Sequence, residues 1–317
     1  MTQPVQPVRL ISVVIPTYQR AHLLRDVIEP LLSDSVISEI IIVDDGSEDS
    51  TPEVCIELAK TDSRIRIIRQ ENAGQAAALT TGANAATSDI VLFLDDDVVS
   101  STTAASCHLQ HHQRAIRPMV VLGYMPPHPK SPRRPGDFPI YIYAGNYERV
   151  CKKYDADPSC VLTDLWGGHF SVRREIFLAT DAVPRKADYH QDQVLGWSLR
   201  RLGCFGVFDR SLEAEHKYSR LPDQFFNDCR RSGRSLAQIQ SLGIAPPDLA
   251  LDPCSGIAPP VKMIVRVVAN CPRPVTGFLY SLLSISGRLH WWTIETFLAR
   301  ILRLVESWRA FTVSSAE

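Results

Sequence analysis

Four short apolar runs, each separated from the next by a helix-forming stretch, constrain the first hundred residues more than any other feature. Leu10–Ile15 (LISVVI) stops at Pro16, Glu39–Val43 (EIIIV) stops at Asp44-Asp45-Gly46-Ser47, Ile65–Ile68 is brief, and Asp89–Leu94 (DIVLFL) stops at Asp95-Asp96-Asp97. Between them, Ala21–Leu32, Ser50–Ala59 and the Ala-rich Gly74–Ala86 read as helices, with Pro52 tolerated near a helix start. β-Branched runs without polar alternation suit strands covered on both faces. Strands alternating with helices at this spacing predict βαβ units around a mostly parallel sheet.

Past residue 100 the pattern is weaker. The proline-heavy Pro118–Asp164 (PPHPKSPRRPGDFP within it) reads as a long surface loop with short strands, a kind of segment that is often functional. Helices are expected over Arg173–Thr180 and Asp192–Leu202, and a strand over Cys204–Phe208. Gly243–Pro260 reads as a linker, followed by apolar helices over Val261–Asn270, Val275–Ser286 and His290–Phe311.

With 317 residues the chain holds one large domain or two modest ones and needs no staple to fold. Its net charge of −1 excludes a general nucleic-acid binder, whose footprint is strongly basic. That charge is unevenly spread. Val261–Phe311 carries Lys262, Arg266, Arg273, Arg288, Arg300, Arg303 and Arg309 against only Glu295 and Glu306. The eight cysteines form no C-x-x-C pair, so reduced thiols in a cytosolic compartment are expected rather than a metal ribbon or a disulfide framework. The N-terminus lacks a signal-peptide pattern, and no apolar run reaches the ~20 residues that span a bilayer. The expected location is cytoplasmic, either free or peripheral at the cytoplasmic face of a membrane.

Ligands of open α/β sheets bind beyond the carboxyl ends of the strands, and those ends are acidic here. Adjacent carboxylates repel one another and raise each other's pKa. A hard divalent cation, Mn²⁺ or Mg²⁺, removes the conflict and brings substrate phosphates with it. In an extended segment Asp95 and Asp97 share a side that Asp96 does not, which makes the first two the candidate ligands; the alternative is a solvated acidic turn. Asp44-Asp45-Gly46-Ser47 either offers carboxylates to a nucleobase or ribose, or is a turn leading to a cap near Ser50. His108 and His112 stand one helical turn apart, but without an H-E-x-x-H pattern an exposed helix face is expected for His108, His111 and His112. Lys130, Arg133 and Arg134 are read as a solvated loop in preference to an anionic-acceptor contact.

The segments SVVIPTYQR (12–20), IIVDDGSEDST (41–51), ENAGQAAALTTGANAATSDIVLFLDDDVV (71–99), GGHFSVRREIF (167–177) and QDQVLGWSLRRLG (191–203) occur in the order seen in family 2 glycosyltransferases, which the chain resembles over roughly residues 8–220. The resemblance implies a GT-A fold, a nucleotide-diphosphate sugar donor, a divalent metal and inverting transfer to a saccharide or lipid-linked acceptor. It implies a catalytic domain over 8–220, with a linker and helical C-terminal extension over 221–317. On this reading Pro16, Thr17, Tyr18 and Arg20 lie at the nucleotide pocket, Asp45 reads the base with Asp44 beside it, and Asn72 and Gln75 lie along the diphosphate and sugar. Asp95 and Asp97 match the family's D-x-D around Asp96, and His216 falls where many members place a histidine that reaches the metal or diphosphate. Trp166, Gly167, Gly168 and His169 would line the sugar and acceptor pocket. The family's Glu-Asp is Gln191-Asp192 here, so Asp192 is the expected general base and the lost Glu removes whatever acceptor contact it makes.

Two rivals are weighed against this expectation. A sugar-phosphate nucleotidyltransferase would carry a Gly-rich basic N-terminal loop, whereas the loop here is Pro16-Thr17-Tyr18-Gln19-Arg20. A catalytically silent GT-A module would have no need of Asp95, Asp97 and Asp192 together. In the basic C-terminal segment, Trp291, Ile294, Leu298, Ile301, Val305 and Trp308 recur at three- and four-residue steps, widened by Phe297, Leu304 and Phe311. That face over 290–311 either meets a membrane surface or packs, on the catalytic domain or in a homodimer.

Overall fold

The computed structural model describes residues 10–129, 131–180, 189–247, 249 and 251–315. Met1–Pro126, Arg149–Arg185 and Leu195–Lys217 form one compact unit; Pro127–Glu148, Lys186–Val194 and Tyr218–Glu317 form a second.

The expected alternation is realised as β1 (Ile11–Thr17), α1 (Leu24–Ile28), β2 (Ile37–Asp44), α2 (Thr51–Thr61), β3 (Ile65–Arg69), α3 (Gln75–Ala85) and β4 (Ile90–Leu94). The helix expected over Ala21–Leu32 is shorter, because Pro30 turns it into a 3-10 segment over Glu29–Ser33. Then follow β5 (Val98–Ser100), α4 (Ala104–Arg114), β6 (Met119–Tyr124), α5 (Phe138–Ala156), β7 (His169–Arg173), α6 (Arg174–Leu178), α7 (Gln191–Arg201) and β8 (Phe205–His216). The strands form one mixed sheet in the order β3-β2-β1-β4-β7-β6-β8-β5. β1 pairs in parallel with β2 and β4, and β2 with β3, while β7 runs antiparallel to both β4 and β6. β1 and β4 are buried along their whole length, as expected of strands with both faces covered. α3 lies close on this sheet: a Cβ on Gly82 would come within 2.3 Å of the Val14 side chain, so only glycine allows the approach.

The long loop expected over Pro118–Asp164 is overturned. Met119–Tyr124 is a buried central strand and Phe138–Ala156 is a nineteen-residue helix; most of the prolines fall between the two elements, and Pro139 sits in the helix's first turn, where it is tolerated. The strand expected over Cys204–Phe208 extends to His216, which brings its end to the ladder with β5. The exposed face expected for the α4 histidines is also wrong for two of them. His108 and His112 are buried and turned onto β7, which leaves His111 partly exposed and paired with Asp209.

The second unit gathers α8 (Pro222–Leu242), which the sequence pattern did not suggest, with α9 (Pro259–Asn270), α10 (Arg273–Arg288) and α11 (Trp292–Ser314). Here α11 is the central helix. It meets α8 so closely that a Cβ on Gly233 would lie 2.0 Å from the Ser307 carbonyl oxygen. Ala299 and Leu302 join Leu283 of α10 and Phe225, Phe226 and Cys229 of α8 in one apolar cluster. Leu304 and Val305 join Val265 and Ala269 of α9 in another. The apolar stripe expected on 290–311 is therefore largely a packing face, and only its start, at Trp291, Ile294 and Phe297, stays exposed. Both acids of α11 point inward, Glu295 to Arg133 and Glu306 to Arg230. Arg133 is thus neither solvated nor free for an acceptor: it also lies over the rings of Tyr141 and Trp292. Lys130 lies outside the described residues. Among the described residues, no helix is long and apolar enough to cross a membrane.

Candidate active site

The first unit brings the acidic strand ends together where the parallel register requires. β1 and β2 end side by side, with Thr17 opposite Asp44, and the Asp45 amide donates to the Thr17 carbonyl oxygen at 2.9 Å. β4 adjoins β1 on the other flank, so Asp95, Asp96 and Asp97 emerge beside the Thr17–Arg20 loop. The Tyr18 amide faces Asp96 at 3.4 Å, and Arg20 lies 3.9 Å from Asp96 and 3.7 Å from Asp97. Gln19 adopts a positive φ of 54°, and the loop is pinned by donation from the Gln19 amide to the Ser47 hydroxyl and from the Arg20 amide to the Thr51 hydroxyl.

Each carboxylate of the triplet has a different neighbour. Gln75, at the start of α3, donates to Asp95 Oδ1 at 2.7 Å. Asp96 is pushed up to about 6 by burial and by the charge of Asp97, against the opposing pull of the Thr17 hydroxyl, the Arg20 guanidinium and the Tyr18 amide. Asp97 faces His216, whose Nε2 is 3.4 Å from Oδ1. This last meeting is fixed by backbone: β5 pairs Val98 with His216, and the Lys217 amide donates to the Asp97 carbonyl oxygen. Residues 119 positions apart are thereby set together by a three-residue ladder.

Gly168 makes room for Asp95. Its φ is +126°, its carbonyl oxygen accepts from the Asp95 amide at 2.9 Å, and a Cβ there would stand 2.7 Å from Asp95 Oδ2. Among the described residues, no three His, Cys, Asp or Glu side chains close into a full ligand set. The residues present nevertheless fit a divalent cation of the Mg²⁺ or Mn²⁺ kind. Such ions take one or two carboxylates and leave the other positions to water and phosphate oxygens. Here the donors are hard oxygens, crowded enough to raise Asp96, and Asp95 sits in a space that only glycine leaves open.

Several expected site residues take other places. Asp45 is buried, and its carboxylate accepts from Gln70 Nε2, the Ala73 amide and the Gly74 amide at 2.7–2.9 Å. These bonds shape the loop ahead of α3. Asp44 is buried too, accepting from the Ser47 amide and facing Arg69. Gln70 was missed in the sequence; it joins Asp45 to Thr81, and a lone Gln after a strand carries no signal of that. Asn72 and Tyr18 are exposed, Pro16 is buried within β1, and Trp166 is half-buried.

His169 departs furthest from expectation. Its ring is wholly buried, with Nε2 3.1 Å from His108 Nε2, and occupies the space that the missing Cβ of Gly123 leaves open. A side chain directed into the core cannot line a sugar pocket; the alternation of β7 that buries His169 and Ser171 on this side decides the matter. Asp192 belongs to the second unit and stands half-buried in the first turn of α7. That helix start is held by His190, whose ring lies 2.6 Å from Gln193 Oε1 and 2.8 Å from Ser232 Oγ. Burial holds His190 down at about 4, so it is neutral beside Asp192 near pH ~7.

A family profile described as "Glycosyl transferase family 2" matches residues 12–179. Glycosyltransferase GlyA of Streptococcus pneumoniae serotype 4 is 39% identical over 86 residues, 27% of this chain and 12% of that protein. The matched stretches span between 12% and 29% of the length of such curated relatives. Among solved structures, the mannosyltransferase PcManGT from Pyrobaculum calidifontis, in complex with GDP-Man and Mn²⁺, superposes with a TM-score of 0.61 at 18% identity, covering 98% of this chain and 87% of that one. Glucosyl-3-phosphoglycerate synthase from Mycobacterium tuberculosis, with Mn²⁺, UDP and glucosyl-3-phosphoglycerate, gives 0.52 at 20% identity over 76% and 82% of the two chains. These likenesses bear out the expected GT-A fold. Matched over more than half its length, the chain belongs to glycosyl transferase family 2.

Proposed function

We propose that this protein is a metal-dependent, inverting glycosyltransferase that moves a sugar from a nucleotide-diphosphate donor to an acceptor hydroxyl in glycan synthesis. The observation that carries the reading is the meeting of Asp97 with His216 and Arg20 in the acidic run that follows β4, where Gln75 donates to Asp95. The nucleotide sugars and Mn²⁺ or Mg²⁺ named with the structural neighbours support the same donor class.

In this reading Asp95 and Asp97, with His216, hold the cation. A bound divalent cation would offset the charge that grows on the departing diphosphate. Arg20, already facing Asp96 and Asp97, adds positive charge at the same place. The Thr17–Tyr18 backbone and the loop shaped by Asp45 flank the nucleotide, with Asn72 and Gln75 along the diphosphate. Gly168 and Trp166 stand toward the sugar, the first by close backbone approach and the second by an aromatic face. Asp192 accepts the proton of the acceptor hydroxyl as that oxygen attacks the anomeric carbon.

The test is a thermal-shift screen of nucleoside diphosphates and nucleotide sugars with Mn²⁺ and with chelator. One nucleotide should raise the midpoint in a metal-dependent way, because a ligand bound only to the folded state stabilises it by mass action. Asp95→Asn and Asp97→Asn should each remove the metal-dependent part. If no nucleotide stabilises the protein with Mn²⁺ present, the donor reading fails.

A further inference from the structure

From Pro253 to Ile294 the chain contains no Asp or Glu, while Lys262, Arg266, Arg273 and Arg288 all fall within it. Those residues build α9, α10 and the approach to α11, and each of the first two helices has one face buried and one open. α9 sets Val265 and Ala269 against α11 and leaves Met263, Ile264 and Val267 exposed. α10 buries Thr276, Leu283 and Ser286. Its other side carries Val275, Phe278, Leu282, Ile285 and Leu289 at three- and four-residue steps; Phe278 is 64% exposed and Leu282 half-buried. An apolar stripe is normally the side a helix buries. Here the helices bury one apolar side on α11 and expose a second.

The charges around these open faces have one sign. Lys262 is paired with Asp252 and Arg266 stacks on Trp308, but among the described residues neither Arg273 nor Arg288 forms an ion pair. The two acids of α11 that could offset them are turned into the interior. We propose that the open faces of α9 and α10 seat this protein on an anionic lipid surface, with Phe278, Ile285 and Met263 entering the interface and Arg273 and Arg288 at headgroup level. Aliphatic and aromatic side chains framed by arginine, without acids, are what an interfacial helix needs. A second copy of the chain fits less well, since a two-fold interface sets each basic rim against another with no acid to answer it. This inference stands apart from the transferase reading.

The 317-residue chain is tested by co-sedimentation with vesicles of phosphatidylcholine alone and of phosphatidylcholine mixed with phosphatidylglycerol. Binding is expected to the mixed vesicles, weakening with added salt. Arg273→Gln with Arg288→Gln should weaken it roughly thirty-fold. Phe278→Ser with Ile285→Ser should weaken it by roughly a hundred-fold, as two inserted side chains are lost. All four positions are exposed, so circular dichroism and the unfolding midpoint should match the wild type. Binding to neither vesicle overturns the proposal, as does equal binding by wild type and both variants. A dimer that Phe278→Ser with Ile285→Ser turns into a monomer, with no vesicle binding by the wild type, overturns it in favour of a second copy.

Discussion

Lowering the pH should unfold this protein through its core histidines before the bulk of its carboxylates titrate. His108, His112 and His169 meet around one hydroxyl: His108 Nδ1 is 2.9 Å and His112 Nε2 is 2.8 Å from Ser171 Oγ, and His169 closes the set against His108. Burial, first of all, pulls His112 and His169 down to about 4, with Arg173 and His111 adding to the effect on His112, and His108 well below its usual range. A histidine with a depressed folded pKa contributes full stability above the unfolded value of ~6.5 and loses it as pH falls from there toward the folded value. Between about pH 6.5 and pH 5 only the unfolded chain takes up the proton, so at ~1.4 kcal/mol per pH unit each residue costs ~2 kcal/mol. His112 and His169 together remove ~4 kcal/mol, a large share of the ~5–15 kcal/mol that a folded domain has. The assay is urea unfolding at several pH values from about 7 to about 5, giving the slope of stability against pH. Near pH ~5 each of these buried histidines, and His190 with them, adds ~1.4 kcal/mol per unit to that slope, one extra proton apiece on the unfolded chain. His112→Gln should lower it by one such share, ~1.4 kcal/mol per unit, whatever it does to stability at neutral pH. A midpoint that does not move between those limits, or equal slopes for variant and wild type, refutes the reasoning.

Asp192→Asn is expected to abolish sugar transfer while nucleotide binding, read by thermal shift, stays near the wild-type level; retained turnover would remove Asp192 from the base role. Gly168→Ala should displace Asp95, since its Cβ falls 2.7 Å from Oδ2 at a φ of +126°, and metal-dependent nucleotide stabilisation should drop at least tenfold in apparent affinity, ~1.4 kcal/mol. Gly233→Ala should destabilise the second unit by ~1–3 kcal/mol, because its Cβ meets the Ser307 carbonyl oxygen at 2.0 Å and two helices must part. An unchanged urea midpoint for that variant would show that α8 and α11 do not pack as described.

The strands and helices of residues 10–94 were legible in the sequence because they are local: buried β-branched runs, turns at their ends, helical spacing between. The acidic strand ends were legible for the same reason, and so was their mutual repulsion, since three adjacent carboxylates conflict wherever the chain places them. What lay outside the sequence's reach depends on partners far along the chain. Nothing near His216 announces Asp97; the β5–β8 ladder introduces them. His108, His112 and His169 look like surface or pocket residues until β7 packs on α4 and takes them out of water. Nothing near Asp45 announces that its oxygens hold the loop before α3. Likewise the apolar spacing of 290–311 fixed a helix with a face to cover, but only the packing of α8, α9 and α10 decided that this face is internal and that the open one lies on α9 and α10. Periodicity is a property of one segment, whereas burial belongs to the pair of segments that meet, and only the folded chain determines which ones do.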